Sequence, residues 1–299
     1  KTISYFSSEA KKIISNRGID SENLRKVVDD LVDEDKLRKS SMDFGLVTVE
    51  LGSFSPIELF KEDIPKGELK DYIMASARYP GLKMDPLDGK TYLDGGIYDN
   101  CPVNLLTKKN YDIAGIDISD EMLNVARSKG EKQGIDLVLL EQDIAELDFD
   151  VTNLDCVLCA CDGFNYITYD EDLMNVFSKT YELLKQEGIF IFDISSFYKL
   201  STVLGDNMYG ENRDGVSYMW QNYFDDEQNL VEMELTFFVA DEDGKYDKHE
   251  ERHLQRAYTE EEILDMLEEV GFADVKVYGD FTFEQPEEDC ERVFFVCRK

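Results

Sequence analysis

The chain has 299 residues, and 32 Lys and Arg against 65 Asp and Glu give a net charge of −33. This charge argues against nucleic acid and anionic membranes as partners, because both attract basic surfaces. Apolar residues make up 42% of the chain, enough for one large core or two ordinary ones. No apolar run approaches the roughly 20 residues of a membrane span. The chain starts at Lys1 without Met, and we expect it to be cut from a longer one.

The first part of the chain predicts a small mixture of helices and strands. Leu24, Val27, Val28 and Leu31 recur at helical spacing and predict an amphipathic helix over residues 21–33. The other elements predicted here are a strand over 44–51, a helix over 68–77 stopped by Pro80-Gly81, a turn at 85–90, a strand over 92–94 before Gly95-Gly96, and a helix from Pro102 to about Lys109.

From Ile113 onward, strands and helices alternate regularly, which is typical of βαβ units around a parallel sheet. Residues 196–257 break this rhythm and predict an inserted antiparallel cap, whose aromatic residues Tyr218, Trp220 and Phe224 we expect to pack on the core. The remaining predictions are strands over 113–117, 137–140, 154–161 and 189–194, helices after Ser119, from Leu173 to Gly188 and behind a capping box at Thr259, and a closing antiparallel pair over 275–278 and 292–297.

The cysteines and histidines predict no metal site. Three of the six cysteines fall in the apolar run 154–161, which we interpret as a buried strand with core thiols rather than as a disulfide or zinc framework. Such thiols favour a reducing, cytoplasmic compartment. The segment 249–253 satisfies the zinc-protease pattern H-E-x-x-H, but its flanks lack the apolar periodicity of a helix. A solvated face is the preferred interpretation.

Asp117 is predicted at the carboxyl end of a strand, directly before a helix capped by Ser119. In a doubly wound sheet this position binds nucleosides, and a carboxylate there can accept from both ribose hydroxyls. An alternative role is stabilisation of the helix dipole alone. The block Ala114–Leu123 resembles the acidic loop of class I S-adenosylmethionine-dependent methyltransferases.

Three later segments resemble the same family in order and spacing. Gln142-Asp143-Ile144 is similar to its adenine-side loop, residues 161–166 to its substrate-facing loop, and residues 184–193 to the run into its fifth strand. The resemblance implies that Asp143 accepts from the adenine amine, although a plain loop acid is the alternative. It also implies cofactor contacts at Asp117, Ile118, Met122, Gln142, Asp143 and Ile144, and a substrate-facing set of Asp162, Asn165 and Tyr166.

This resemblance covers about residues 110–299. It implies an α/β fold with a doubly wound, mostly parallel sheet and a cap insertion at about 196–257. It implies S-adenosylmethionine as cofactor and in-line methyl transfer to an unknown small molecule. The family's first strand ends in a glycine-rich GxGxG loop, and this chain has none: residues 94–109 stand in its place.

The smaller α/β part before it, about residues 1–109, resembles the C-terminal third of patatin-like acyl hydrolases. The similar segments are residues 47–49, 56–60, 74–80 and 92–102. In that family the Asp of the D-G-G turn, here Asp94, partners a Ser nucleophile in a GxSxG elbow. This chain contains no GxSxG, so Asp94 is more simply a turn residue.

Three functions therefore stand at the level of sequence. The first is S-adenosylmethionine-dependent methyl transfer, the second is hydrolysis of lipid acyl esters with Asp94, and the third is a catalytically silent fusion or binding protein. The oligomeric state is left open.

Overall fold

The structure, a computed structural model, describes residues 21–78, 86–97, 102–213, 215–241, 243–280 and 282–299. The predicted stop at Pro80-Gly81, the start of the turn at 85–90 and Cys101 lie outside these residues. By its internal contacts the chain divides into two units, residues 1–115 with 120–140 and residues 116–119 with 141–299. Each unit is described by itself.

The first unit forms close to the predicted pattern. Its elements are α1 (Glu22–Leu31), α2 (Glu34–Lys39), β1 (Gly45–Glu50), β2 (Ser55–Phe60), α3 (Leu69–Ser76), β3 (Tyr92–Asp94) and α4 (Val103–Lys108). The strands make an antiparallel sheet in the order β2-β1-β3. The core beneath it contains Leu46, Ile64, Leu69 and Tyr72. The helical spacing of the predicted first helix is confirmed.

The middle of the chain carries the strand that ends at Asp117. Strand β4 (Ala114–Asp117) is followed by α5 (Asp120–Gln133) and β5 (Val138–Glu141), and β4 and β5 form a two-stranded sheet. Strand, helix and strand thus occur in the predicted order. Residues 116–119 and 141 belong to the second unit.

The second unit is centred on a four-stranded sheet in the order β12-β13-β7-β6. Its elements are β6 (Leu154–Cys159), α6 (Asp170–Leu183), β7 (Leu184–Ser195), α7 (Glu260–Val270), β12 (Asp274–Gly279) and β13 (Arg292–Arg298). Strands β6 and β7 are parallel, whereas β13 runs antiparallel to both of its neighbours. The parallel pair lies at one edge of the sheet, and the predicted closing antiparallel pair joins it through β13.

An aromatic core joins this sheet to its helices. Phe177 from α6 packs among Phe164, Phe190 and Phe192, while Phe295 stacks on Phe192 with ring centroids 4.8 Å apart. The predicted capping box at Thr259 is confirmed.

The helix predicted to run to Gly188 ends at Leu183 instead. Leu184 already pairs with Leu154 of the neighbouring strand, and the Glu187 N–H donates to the Lys299 carbonyl at 3.1 Å. Residues 184–188, which helical spacing alone assigned to the helix, therefore form the start of β7 through strand pairing.

The inserted segment forms the predicted antiparallel cap. Strands β8 (Met208–Arg213), β9 (Val216–Asp225), β10 (Leu230–Ala240) and β11 (Tyr246–Arg256) make one sheet in chain order. Trp220 and Phe224 pack against its buried cluster, as expected, and Tyr218 lies beside Phe237.

The strand predicted at 154–161 forms over Leu154–Cys159, but the prediction that its thiols are buried is wrong. Cys156 and Cys161 are exposed and Cys159 is partly buried. Within the described residues β6 is the edge of its sheet, so one side of the strand has no neighbour to cover it. Five described cysteines are free thiols, and only Cys290 and Cys297 are buried.

Candidate cofactor and acceptor site

Asp117 is the last residue of β4 and is held by its own turn. Its Oδ1 atom accepts from the Ser119 backbone N–H at 2.9 Å. The Asp117 carbonyl accepts from the Gln142 N–H at 3.1 Å, which joins the ends of β4 and β5. Within the described part of the chain, the Oδ2 atom of Asp117 has no protein partner and can accept from a ligand hydroxyl. The adjacent Ile118 side chain is exposed.

The loop after β5 is organised by Gln142 and Asp143. The Gln142 side-chain amide donates to the Asp148 carbonyl at 3.0 Å and accepts from the Asp148 N–H at 3.3 Å. The Asp143 Oδ1 atom accepts from the Ala145 N–H at 2.9 Å and caps a short 3-10 helix, Ile144–Glu146. Gln142 therefore shapes the loop, and Asp143 presents an exposed carboxylate.

Ile144 lies at the edge of a polar cavity of about 300 Å³ between the short 3-10 helix and α6. Asn175, Lys179 and Glu182 line its other wall. Met122, which the sequence grouped with Asp117, is exposed on α5 in the first unit. The remaining predicted cofactor contacts belong to the second unit.

Asp162 follows β6 in a left-handed conformation, with φ of 51°. Its carboxylate accepts from Arg292 at 2.8 Å and from the Gln255 amide at 3.0 Å. Arg292 also bonds the buried Asp193, which in turn accepts from the Cys161 and Asp162 N–H groups. Both carboxylate oxygens of Asp162 thus take part in this network, and its role toward the substrate stays a prediction.

Charge holds this network together. Burial by itself would lower the pKa of the Arg292 guanidinium, but its hydrogen bonds and charge pairing with Asp162 and Asp193 outweigh burial and raise the pKa. Arg292 thus stays charged between two carboxylates and fixes the loop that starts at Cys161.

Asn165 is completely buried, and its predicted role toward the substrate stays a prediction. Its amide nitrogen donates to the Ser195 carbonyl at 3.1 Å and to the Arg256 carbonyl at 2.9 Å. Its amide oxygen accepts from the Ser195 N–H at 2.9 Å. One side chain therefore fastens the 3-10 turn Gly163–Tyr166 to the ends of β7 and β11.

Tyr166 is the member of the predicted substrate-facing set that reaches the surface, with 48% exposure. Its hydroxyl lies 3.2 Å from Nδ1 of His253, whose Nε2 lies 3.3 Å from a carboxylate oxygen of Glu251. Burial, followed by the charge of Asp162, raises the pKa of the Tyr166 hydroxyl. The sequence analysis missed His253 as a partner of Tyr166. A strand assigned to residues 246–256 would have placed His253 and Glu251 on the same face of that strand, because alternate residues of a strand share a face.

The site residues thus form two groups. Asp117 and Gln142 meet at the ends of β4 and β5, and Asp162, Asn165 and Tyr166 meet where β6, β7 and β11 converge. Among the described residues, no hydrogen bond or ion pair joins the Asp117 side chain to the second group.

The H-E-x-x-H segment lies in β11, not in a helix. Four residues of extended strand separate His249 from His253 by about 13 Å, too far for both to bind one ion. The preferred interpretation of a solvated face agrees with the exposure of most of this strand.

Asp94 ends β3 in the glycine turn predicted from the sequence. Its Oδ1 atom accepts from the Gly96 N–H at 2.8 Å. A Cβ at Gly95 would lie 2.1 Å from the Val47 carbonyl oxygen, so only glycine fits against β1. The hydroxyl of Ser76 in turn donates to that carbonyl at 2.6 Å. These contacts account for the D-G-G sequence as a packed turn.

Comparison with known proteins separates the two parts of the chain. Residues 101–188 match the family profile described as a methyltransferase domain, and residues 3–107 match that of patatin-like phospholipases. A protein of Geobacillus sp. (strain WCH70) named as a methyltransferase is 38% identical over 194 residues, which cover 65% of this chain and 78% of the relative. The chain belongs to the S-adenosylmethionine-dependent methyltransferases.

Two further relatives are similar over about two thirds of the chain. A crystal structure of an S-adenosylmethionine-dependent methyltransferase from Clostridium acetobutylicum ATCC 824 is 35% identical, with a TM-score of 0.60 over 66% of this chain and 80% of that one. A glycine/sarcosine N-methyltransferase of Halorhodospira halochloris is 25% identical over 65% of this chain and 69% of its own length. The Rossmann-like α/β fold expected from the sequence is confirmed.

The residues at the ends of β4 and β5 fit the nucleoside part of the family's cofactor. Asp117 and Asp143 each accept from a backbone N–H with one carboxylate oxygen, which leaves the second oxygen able to accept from a hydroxyl or an amine. The fit concerns the nucleoside, because the chain has no glycine-rich GxGxG loop for the methionine part.

No helix within the described residues is long and apolar enough to cross a membrane.

Proposed function

We propose that this methyltransferase transfers its methyl group to a nitrogen atom of a small molecule. The carboxylate of Asp117, oriented by Ser119 at the tip of β4, is the observation that carries the cofactor site. The name of the Halorhodospira halochloris relative, a glycine/sarcosine N-methyltransferase, supports a nitrogen acceptor. A net charge of −33 favours the cationic sulfonium of the donor and a cationic amine.

In this proposal Asp117 accepts hydrogen bonds from the ribose hydroxyls and Asp143 accepts from the exocyclic amine of adenine. Ile118 and Ile144 supply apolar contacts beside them, while Gln142 keeps the second loop in shape through Asp148. The bound donor supplies a methyl group on a positively charged sulfur. The protein contributes mainly by aligning the acceptor with that methyl group.

Titration calorimetry with S-adenosylhomocysteine tests the cofactor site. Asp117→Ala removes charged hydrogen bonds worth about 1.5–3 kcal/mol, so we expect roughly tenfold to hundredfold weaker binding. Asp150→Ala, which removes an exposed acid of the same unit, is the matched control and should bind as the wild type does. Equal affinity of the Asp117→Ala variant and the wild type would leave Asp117 as a residue of the helix dipole only.

Two further measurements test the other two functions that the sequence leaves open, acyl-ester hydrolysis and a catalytically silent protein. Labelling of a serine by a fluorophosphonate probe would support an acyl hydrolase with Asp94, and the absence of both labelling and S-adenosylhomocysteine binding would support a catalytically silent protein.

We also propose that the patatin-like fragment spans 1–109 and the methyltransferase-like part 110–299. The free thiols favour a cytoplasmic location.

A further inference from the structure

Three polar side chains form a row at the surface, from the turn Gly163–Tyr166 along β11. Tyr166 lies 3.2 Å from His253, and His253 lies 3.3 Å from Glu251. We propose that this row is a proton relay in which Tyr166 takes a proton from the amine acceptor and passes its own to His253. The proposal rests on the proposed N-methyl transfer and names its base.

The fold holds the two ends of the row in register. In β11 alternate residues share a face, so Glu251, His253 and Gln255 point the same way. Asn165 bonds the carbonyl of Arg256 and thereby fastens the turn that carries Tyr166 to the same strand. The Tyr166–His253 contact therefore joins two fixed elements.

The groups around the row are two acids, an amide and apolar side chains. Glu251 and Asp162 are the acids that face it, and Gln255 bonds both Tyr166 and Asp162. The residues paired with His253 and Glu251 on β10 are the apolar Met233 and Leu235. Arg252, on the same strand, pairs with Glu232.

Each group in the row has one chemically required role. The Glu251 carboxylate can only accept, so it favours a proton on Nε2 of His253. Nδ1 is then an acceptor for the Tyr166 hydroxyl proton. In the relay a lone pair of the Tyr166 oxygen takes the proton of the amine. His253 is thus a positioning residue, and Tyr166 is the group that touches the substrate.

An amine that enters as an ammonium ion has no lone pair and must first lose a proton. One N–H proton passes to the Tyr166 oxygen while the Tyr166 proton moves to Nδ1 of His253, which becomes an imidazolium beside Glu251. The freed lone pair forms the new N–CH3 bond, and the S–CH3 bond breaks with its electron pair remaining on sulfur. His253, one-third exposed, returns the proton to water, so each turnover releases one proton.

Nitrogen-15 NMR of the imidazole rings tests this relay without an activity assay. The chain has only two histidines, so His249→Gln leaves His253 as the single imidazole. We expect the neutral ring to carry its proton almost entirely on Nε2, and we expect this preference to weaken in the double variant with Glu251→Gln. A neutral ring protonated on Nδ1 would overturn the proposal, because Nδ1 could not accept from Tyr166.

A second measurement separates a relay from a structural hydrogen bond. Methylammonium, the simplest amine probe, is added to the His249→Gln protein, and we expect the Nδ1 resonance of His253 to shift. Tyr166→Phe should abolish the shift. No response before substitution, or the same response after it, would refute the relay.

The calorimetric titration with S-adenosylhomocysteine keeps the two proposals distinguishable. Binding without a His253 response overturns the relay alone. A response to methylammonium in a protein that does not bind S-adenosylhomocysteine would leave an amine site but overturn the proposed methyl transfer.

Discussion

Asn165→Ala is the substitution whose cost can be worked out most directly. It removes three hydrogen bonds of a side chain that is 0% exposed. The buried Ser195 N–H then loses its acceptor, which costs about 1–3 kcal/mol, and two carbonyls lose a donor each. We expect a total loss of about 3 kcal/mol in the free energy of unfolding of the second unit.

Fluorescence of Trp220, the only tryptophan, reports urea unfolding of this unit. With a denaturant slope of about 2 kcal/mol per molar, the midpoint should fall by roughly 1.5 M. Asn175→Ala, an exposed change on α6, should stay within about 0.5 kcal/mol of the wild type. If Asn165→Ala unfolds at the same urea concentration as this control, the turn is not fastened by Asn165.

Three further predictions test other parts of the structure. In native protein, a maleimide should modify the exposed Cys161 rapidly and the buried Cys297 only upon unfolding, and equal rates would contradict the exposure of Cys161. Gly95→Ala should lower the thermal midpoint by many degrees because its Cβ would overlap backbone, whereas Gly52→Ala, with open space around it, should not; similar midpoints would refute the packed turn. Burial raises the pKa of Tyr72 to about 12, so its contribution to stability is complete below its unfolded pKa near 10 and is lost as pH rises toward 12. Between pH 8 and pH 11 the ionisation of Tyr72 should therefore cost the wild type about 1.4 kcal/mol of its free energy of unfolding, and the Tyr72→Phe variant should lack this part of the loss. Urea unfolding followed by circular dichroism measures both losses, and equal losses would be inconsistent with that pKa.

The sequence was informative where spacing and capping act locally. The amphipathic helix at Glu22–Leu31, the capping box at Thr259 and the antiparallel cap all follow from periodicity and turn residues. The end of α6 was not predictable in this way, because Leu184 joins a strand through pairing with distant residues.

The side-chain directions of the acceptor loop were equally beyond the sequence. Asp162 and Asn165 occupy family positions that suggest substrate contact, yet Arg292, Gln255 and the end of β7 take up their polar atoms. These partners lie 30 to 130 positions away along the chain. The prediction that residues 154–161 are buried failed for a related reason, because apolar residues in a strand do not reveal whether the strand lies at the edge of its sheet.

The central claim is that the Asp117 carboxylate binds the ribose of the methyl donor. A double cycle tests it with S-adenosylhomocysteine and its 2′,3′-dideoxy analogue, each titrated into wild type and Asp117→Ala. We expect the missing hydroxyls to weaken binding to the wild type by roughly tenfold or more and to have little effect on the variant. An equal loss in both proteins would contradict it, because the hydroxyls would then be bound elsewhere.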